Sequence, residues 1–92
     1  MATYTLAYTG QFKKDLKRCQ KRGYNLELLH RAITLLQETG SLPAEYKAHI
    51  LSGQYSGCWE CHIKPDWLLI WQQDDKELTL LFLNTGTHPD LF

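Results

Sequence analysis

Residues 58–84 read CWECHIK, PD, WLLIWQQ, DDK and ELTLLFLN in succession. Three apolar-rich runs separated by short polar breaks are the pattern of consecutive antiparallel strands joined by tight turns. Pro65-Asp66 and Asp74-Asp75 supply the turn chemistry. The middle run, residues 67–73, is apolar at consecutive rather than alternate positions, which predicts a central strand covered on both faces. The flanking strands are expected over residues 58–64 and 77–84. Upstream, residues 41–57 contain Pro43, Gly53 and Gly57 and read as irregular, with a short strand around residues 49–51.

Two amphipathic segments precede this region. Over residues 10–22, Phe12, Leu16 and Cys19 recur at i, i+4 and i+7, with Thr9 as N-cap and Gly23 just past the end. Over residues 26–39, Leu29, Ile33 and Leu36 repeat that spacing, with Asn25 before and Gly40 after. The short connection makes them an antiparallel helical hairpin. Residues 3–8, TYTLAY, are β-branched and aromatic and read as a strand. The order β-α-α-β-β-β-β predicts one α+β domain over residues 1–92, a small, mostly antiparallel sheet with an N-terminal helical hairpin packed on one face. Residues 85–92 read as a polar tail ending in Phe92.

The chain has 92 residues, ten Lys/Arg and ten Asp/Glu, and 43% hydrophobic residues. That composition excludes a disordered chain. The longest apolar run, residues 67–71, is far short of a membrane span. The N-terminus lacks a basic segment followed by an apolar one, so no secretory signal is read, and three cysteines without one predict a reduced, cytoplasmic protein. Zero net charge argues against a bulk nucleic-acid binder, but the zero is a cancellation. Residues 1–46 hold seven basic and four acidic residues; residues 47–92 hold three and six. Within the first half, residues 10–23 carry Lys13, Lys14, Lys17, Arg18, Lys21 and Arg22 against Asp15 alone. A basic helix of this kind is either a solvated face or a surface for phosphates or an acidic partner.

Two constellations bear on chemistry. Cys58-Trp59-Glu60-Cys61-His62 matches the C-x-x-C-H haem attachment sequence. In a strand, however, Cys58 and Cys61 point to opposite faces, which no porphyrin, zinc knuckle or redox pair can use. Met1 is the only methionine, which further disfavours a haem site. One cysteine is instead expected to pack as a small hydrophobe. The second constellation is His49, His62 and His88, which fall in the loop, a strand and the tail, with Asp66 in a turn. Imidazole titrates near neutrality and suits proton transfer. The strand reading puts His62 on a polar face with Glu60 and Lys64. No short ligand spacing marks a metal site among the histidines.

Several blocks in order resemble the YafQ-type toxins of the RelE superfamily. They are YTGQFKKDL at 8–16, LP at 42–43, YKAH at 46–49, LSG at 51–53, ECHIKPDW at 60–67, TGTH at 85–88 and LF at 91–92. The resemblance implies a RelE-like fold and a metal-independent, cofactor-free endoribonuclease that cuts mRNA on the ribosome. It implies catalytic roles for His49, His62, Asp66 and His88, with His49 and His88 as the proton-transfer pair. Trp67 and Phe92 match aromatics of the site. An arginine common before the T-G-T-H block is here Asn84, which can donate a hydrogen bond but brings no charge, so phosphate stabilisation falls to groups such as Lys47 and Lys64; the substrate-contacting residues implied are Trp67, Phe92, Lys47 and Asn84. Implied partners are a cognate antitoxin, the ribosome with its mRNA, and promoter DNA only through the antitoxin. Lys13, Lys14, Lys17, Arg18 and Lys21 form the expected docking surface. The alternative reading, motivated by Asn84, is a catalytically weakened module acting in an autoregulatory antitoxin–DNA complex.

Overall fold

A computed structural model describes residues 3–92. Strand β1 (Thr5–Tyr8) leads into helices α1 (Gly10–Lys21) and α2 (Leu26–Thr39), followed by strands β2 (His49–Ile50), β3 (Trp59–Lys64), β4 (Trp67–Asp74) and β5 (Thr79–Gly86), and a one-turn helix, α3 (His88–Leu91). Single turns of 3-10 helix at Ala44–Tyr46 and Gly53–Tyr55 shape the loops around β2. The five strands form one sheet in the order β1-β5-β4-β3-β2. All pairings are antiparallel except β1 with β5.

The helix ends follow from local chemistry. The Thr9 hydroxyl accepts from the Phe12 N–H, and the Asn25 carbonyl oxygen accepts from the Glu27 N–H, each satisfying an otherwise unpaired first-turn donor. Gly40, at φ 74°, closes α2.

Strand β4 is central, with its first five residues buried. Trp67, Leu69 and Trp71 join Phe12, Cys19, Leu29, Ile33 and Leu36 of the hairpin in the main core. Leu68 and Ile70 point the other way, into a smaller cluster with Cys58, Leu91, Tyr55 and Leu83. Each such side chain contributes roughly 1.5–3 kcal/mol on burial, so β4 anchors both layers.

The opposite faces expected for Cys58 and Cys61 are observed: Cys61 lies in the main core and Cys58 in the smaller cluster. Burial pushes the Cys61 thiol up to about 12, so it stays protonated and inert at neutral pH. Met1 lies outside the described residues.

Three expectations need correction. Strand β5 begins at Thr79, two residues late, because the Asp74 carboxylate accepts from the N–H groups of Lys76 and Glu77 and builds a longer turn, with Leu78 at φ 54°. The tail contains α3, started by a capping box between Thr87 and Asp90. The face shared by Glu60 and His62 is not simply polar: the second cluster covers it, and Glu60 is 4% exposed.

Candidate active site

Three of the four expected catalytic residues, His62, Asp66 and His88, meet through the β3–β4 turn; His49 lies apart from it, paired with Glu60. Asp66, in that turn, accepts from the His88 backbone N–H at 3.3 Å through Oδ1. The Pro65 carbonyl accepts from His62 Nδ1 at 3.3 Å. A carbonyl can only accept, so this contact places a hydrogen on Nδ1 and leaves Nε2 as the ring nitrogen not held by the turn. The turn thus holds both histidines, one by its backbone and one by its ring. Phe92, just past α3 and 57% exposed, lies 5.5 Å from the His88 ring and meets Tyr55 edge-on at the same centroid separation.

His49 enters from the neighbouring strand. Its Nε2 lies 3.2 Å from Glu60 Oε1, across the β2–β3 pairing that puts these two residues opposite each other. Its Nδ1 lies 2.8 Å from the Lys47 carbonyl. Both neighbours are acceptors, so both contacts are hydrogen bonds only when both ring nitrogens carry hydrogen. Glu60 Oε2 is buried without a hydrogen-bond partner among the described residues. Glu60 and Tyr55 are residues that sequence reasoning missed. The signal for Glu60 was its i, i+2 relation to His62, which places both on one face.

Lys47 and Lys64 are exposed and flank His62 along a groove of about 280 Å³. Trp67 and Asn84 sit differently from what a direct contact role requires. Trp67 is 3% exposed, and its indole N–H donates to the Thr85 hydroxyl at 2.9 Å. The Asn84 amide donates to Asp15 at 3.3 Å.

Asp15 is the hub of this second network. Buried in α1, it accepts from the Thr85 N–H at 3.1 Å and from Gln11 at 3.0 Å, and pairs with Arg18 at 3.1 Å. Arg18 also donates to the Thr85 carbonyl and approaches Asp90 at 3.7 Å. Placed on the basic surface by sequence, Arg18 is instead turned into the fold. Lys13, Lys14, Lys17 and Lys21 are exposed. Among the described residues, no group of three or more His, Cys, Asp or Glu side chains is arranged to hold a metal ion.

This arrangement can be set against known proteins. The family model for YafQ, a bacterial toxin of type II toxin–antitoxin systems, matches residues 4–92. The chain belongs to the YafQ toxin family. The mRNA interferase toxin YafQ of Escherichia coli is 44% identical over 95% of this chain and 94% of its own length. The E. coli DinJ–YafQ toxin–antitoxin complex contains a chain of the same fold, with a TM-score of 0.88, 41% identity and 98% coverage of both chains. A metal-bound toxin from Helicobacter pylori matches with a TM-score of 0.87 and 38% identity over the full length of both. The fold is therefore the α+β architecture expected from the element order, and the RelE-like one that the resemblance implied. No described helix is long and apolar enough to cross a membrane.

Proposed function

We propose that this chain is an mRNA interferase: a metal-independent endoribonuclease that cuts ribosome-bound mRNA and is silenced by a protein antitoxin. The observation that carries this reading is the joining of His62, Asp66 and His88 at one turn, in a chain whose relative of 44% identity is named an mRNA interferase. In the reaction, the RNA 2′-hydroxyl attacks the adjacent phosphate, one group removes the hydroxyl proton, and another protonates the departing 5′-oxygen. His88 and His49 form the proton-transfer pair. Asp66 positions His88, and His62 and the exposed Lys47 and Lys64 face the charge that develops on phosphorus. Phe92, exposed beside His88, offers a ring on which a base can stack. The four exposed lysines of α1 supply the docking face for rRNA phosphates or for an acidic antitoxin segment.

Inducing the chain without an antitoxin is expected to stop growth and to create new 5′ ends in translated messages. His88→Ala should abolish both effects, and the purified protein, stripped of metal by a chelator that is then removed, should still cleave ribosome-bound mRNA. Harmless expression of the unmodified chain with intact transcripts would refute the proposal. The weakened-module reading is favoured by one observation, the commitment of the Asn84 amide to Asp15. A large gain in cleavage by Asn84→Arg would support it; no gain would leave the active enzyme.

A further inference from the structure

Helix α3 carries His88 at its first position and delivers Phe92, yet it is four residues long. A helix this short does not hold itself together in water; isolated helices are marginal below roughly 12–15 residues. Its geometry must be imposed from outside. Two local contacts contribute: Leu91 is buried in the smaller cluster, and Asp66 accepts from the His88 N–H.

The third contact comes from the far end of α1. Arg22 grips Asp90 with both guanidinium nitrogens, Nη1 to Oδ2 at 2.7 Å and Nη2 to Oδ1 at 3.1 Å, across 68 residues of sequence. Arg18 Nε adds a charge 3.7 Å from the same Oδ2. That carboxylate also accepts from the Thr87 N–H at 2.9 Å, closing the capping box one residue before His88. One carboxylate therefore sets the first turn of α3 and ties it to α1. The strand end passes close beside it. A Cβ at Gly86 would come within 2.7 Å of Arg18 Nη2 and 2.9 Å of Asp90 Oδ2, so glycine leaves the clamp its space.

We propose that Arg22 is a positioning residue for His88 and Phe92, acting through Asp90 rather than on the substrate. The inference rests on the endoribonuclease reading for its kinetic consequence, but its structural half stands apart. Single surface ion pairs contribute little. This pair differs because it is bidentate and because Asp90 at the same time closes the capping box of the helix it anchors.

The test compares Arg22→Ala, Asp90→Asn and the double variant in cleavage of ribosome-bound mRNA, with melting curves to confirm folding. Each single variant is expected to lower kcat about tenfold with KM within about twofold, since misplacement by an ångström can cost as much as 10²-fold. The double variant should be no worse than either single, and Arg22→Lys should recover part of the loss. A docking role would act oppositely at the two positions, since Arg22→Ala removes a positive charge and Asp90→Asn a negative one. Opposed shifts in KM with kcat unchanged would therefore overturn the proposal, as would losses that multiply in the double variant. The independent readout is amide exchange at Leu91 and Phe92, which donate to the Thr87 and His88 carbonyls. Faster exchange in Arg22→Ala, which leaves the capping box intact, with β4 still protected supports the clamp, and unchanged exchange in that variant refutes it. An unmodified protein that fails to cleave removes the enzymatic reading while leaving this readout able to judge the clamp.

Discussion

Thr85→Val tests whether the segment leading into His88 is held by hydrogen bonds or by apolar packing. Thr85 is fully buried near the end of β5. Its hydroxyl accepts from the Trp67 indole N–H at 2.9 Å and donates to the Leu68 carbonyl at 2.7 Å. Valine has nearly the same shape and is more apolar, so a purely hydrophobic account expects no loss or a gain. The hydrogen-bond account expects the reverse. The substitution strands an indole N–H that water cannot reach, at about 1–3 kcal/mol, and takes a donor from Leu68. A small apolar gain offsets part of this, leaving a net loss of about 2 kcal/mol. For a domain of this size that is a fall in Tm of about 10 °C.

The control is Thr85→Ser, which keeps both hydrogen bonds and deletes one methyl group, costing about 0.5–1.5 kcal/mol. The ordering therefore matters more than either magnitude: serine should be better tolerated than valine at a buried position. Urea unfolding and thermal melts of the three proteins measure it. A valine variant within about 0.5 kcal/mol of the parent, or more stable than the serine variant, would falsify the reasoning.

Three further outcomes are expected. Glu60→Gln should lower cleavage roughly tenfold or more by replacing the carboxylate beside His49, while leaving Tm unchanged or raised, because it removes a buried carboxylate whose Oε2 has no hydrogen-bond partner among the described residues; a lower Tm with cleavage retained counts against a functional role. The Arg22 guanidinium, helped by the Thr87 N–H and hydroxyl, holds the Asp90 carboxyl well below the usual carboxylate range. Its stabilisation is complete above the unfolded value of about 3.9 and drains away as pH falls toward the folded value, so Tm should drop less steeply below about pH 4 in Asp90→Asn than in the parent, and parallel acid limbs would contradict this. All three cysteines are free and buried, with Cys61 pushed up to about 12, so a thiol reagent at neutral pH should label none quickly and all three after unfolding; rapid labelling of the native protein would show that the sheet opens.

What could be read from sequence was what short-range chemistry decides. Thr9, Asn25 and Gly40 marked helix ends because each acts on backbone within a few residues. Residues 67–71 announced a central strand because no strand exposed on one face would tolerate five consecutive apolar side chains. The miss at β5 came from Asp74, whose side chain captured two backbone donors and lengthened the turn at the strand's expense. Helix α3 was missed because four residues carry no periodicity, although Thr87 and Asp90 already have capping-box spacing. The site divided the same way. Three histidines and Asp66 could be named, but the pairing of His49 with Glu60 depends on strand register. The Asp15 hub joins residues about 70 positions apart, beyond any local pattern. Its one visible hint was position: Asp15 shares the stripe of Phe12 and Cys19, where an acid belongs only if the fold satisfies it.

The charge on α1 also reads differently once partners are known. Its excess was counted as a uniform basic face, but the fold divides it by residue type. Both arginines of the 10–23 segment turn to carboxylates, Arg18 to Asp15 and Asp90, and Arg22 to Asp90. The lysines at 13, 14, 17 and 21 remain exposed. A planar guanidinium matches a carboxylate with two parallel hydrogen bonds and fixes geometry, whereas an ammonium on a flexible stem is strongly hydrated and meets phosphates as a point charge. Exchanging the two types would therefore keep the net charge and undo the helix twice, loosening the turn that bears His88 and presenting forks where mobile charges serve better. The neutrality of the whole chain follows in part from the same division, since Asp90 belongs to the acidic half and its arginine partners to the basic one. On α1 the charge left free for a polyanion is that of the lysines. It lies on the helix whose end, through Arg22 and Asp90, holds the turn that bears His88.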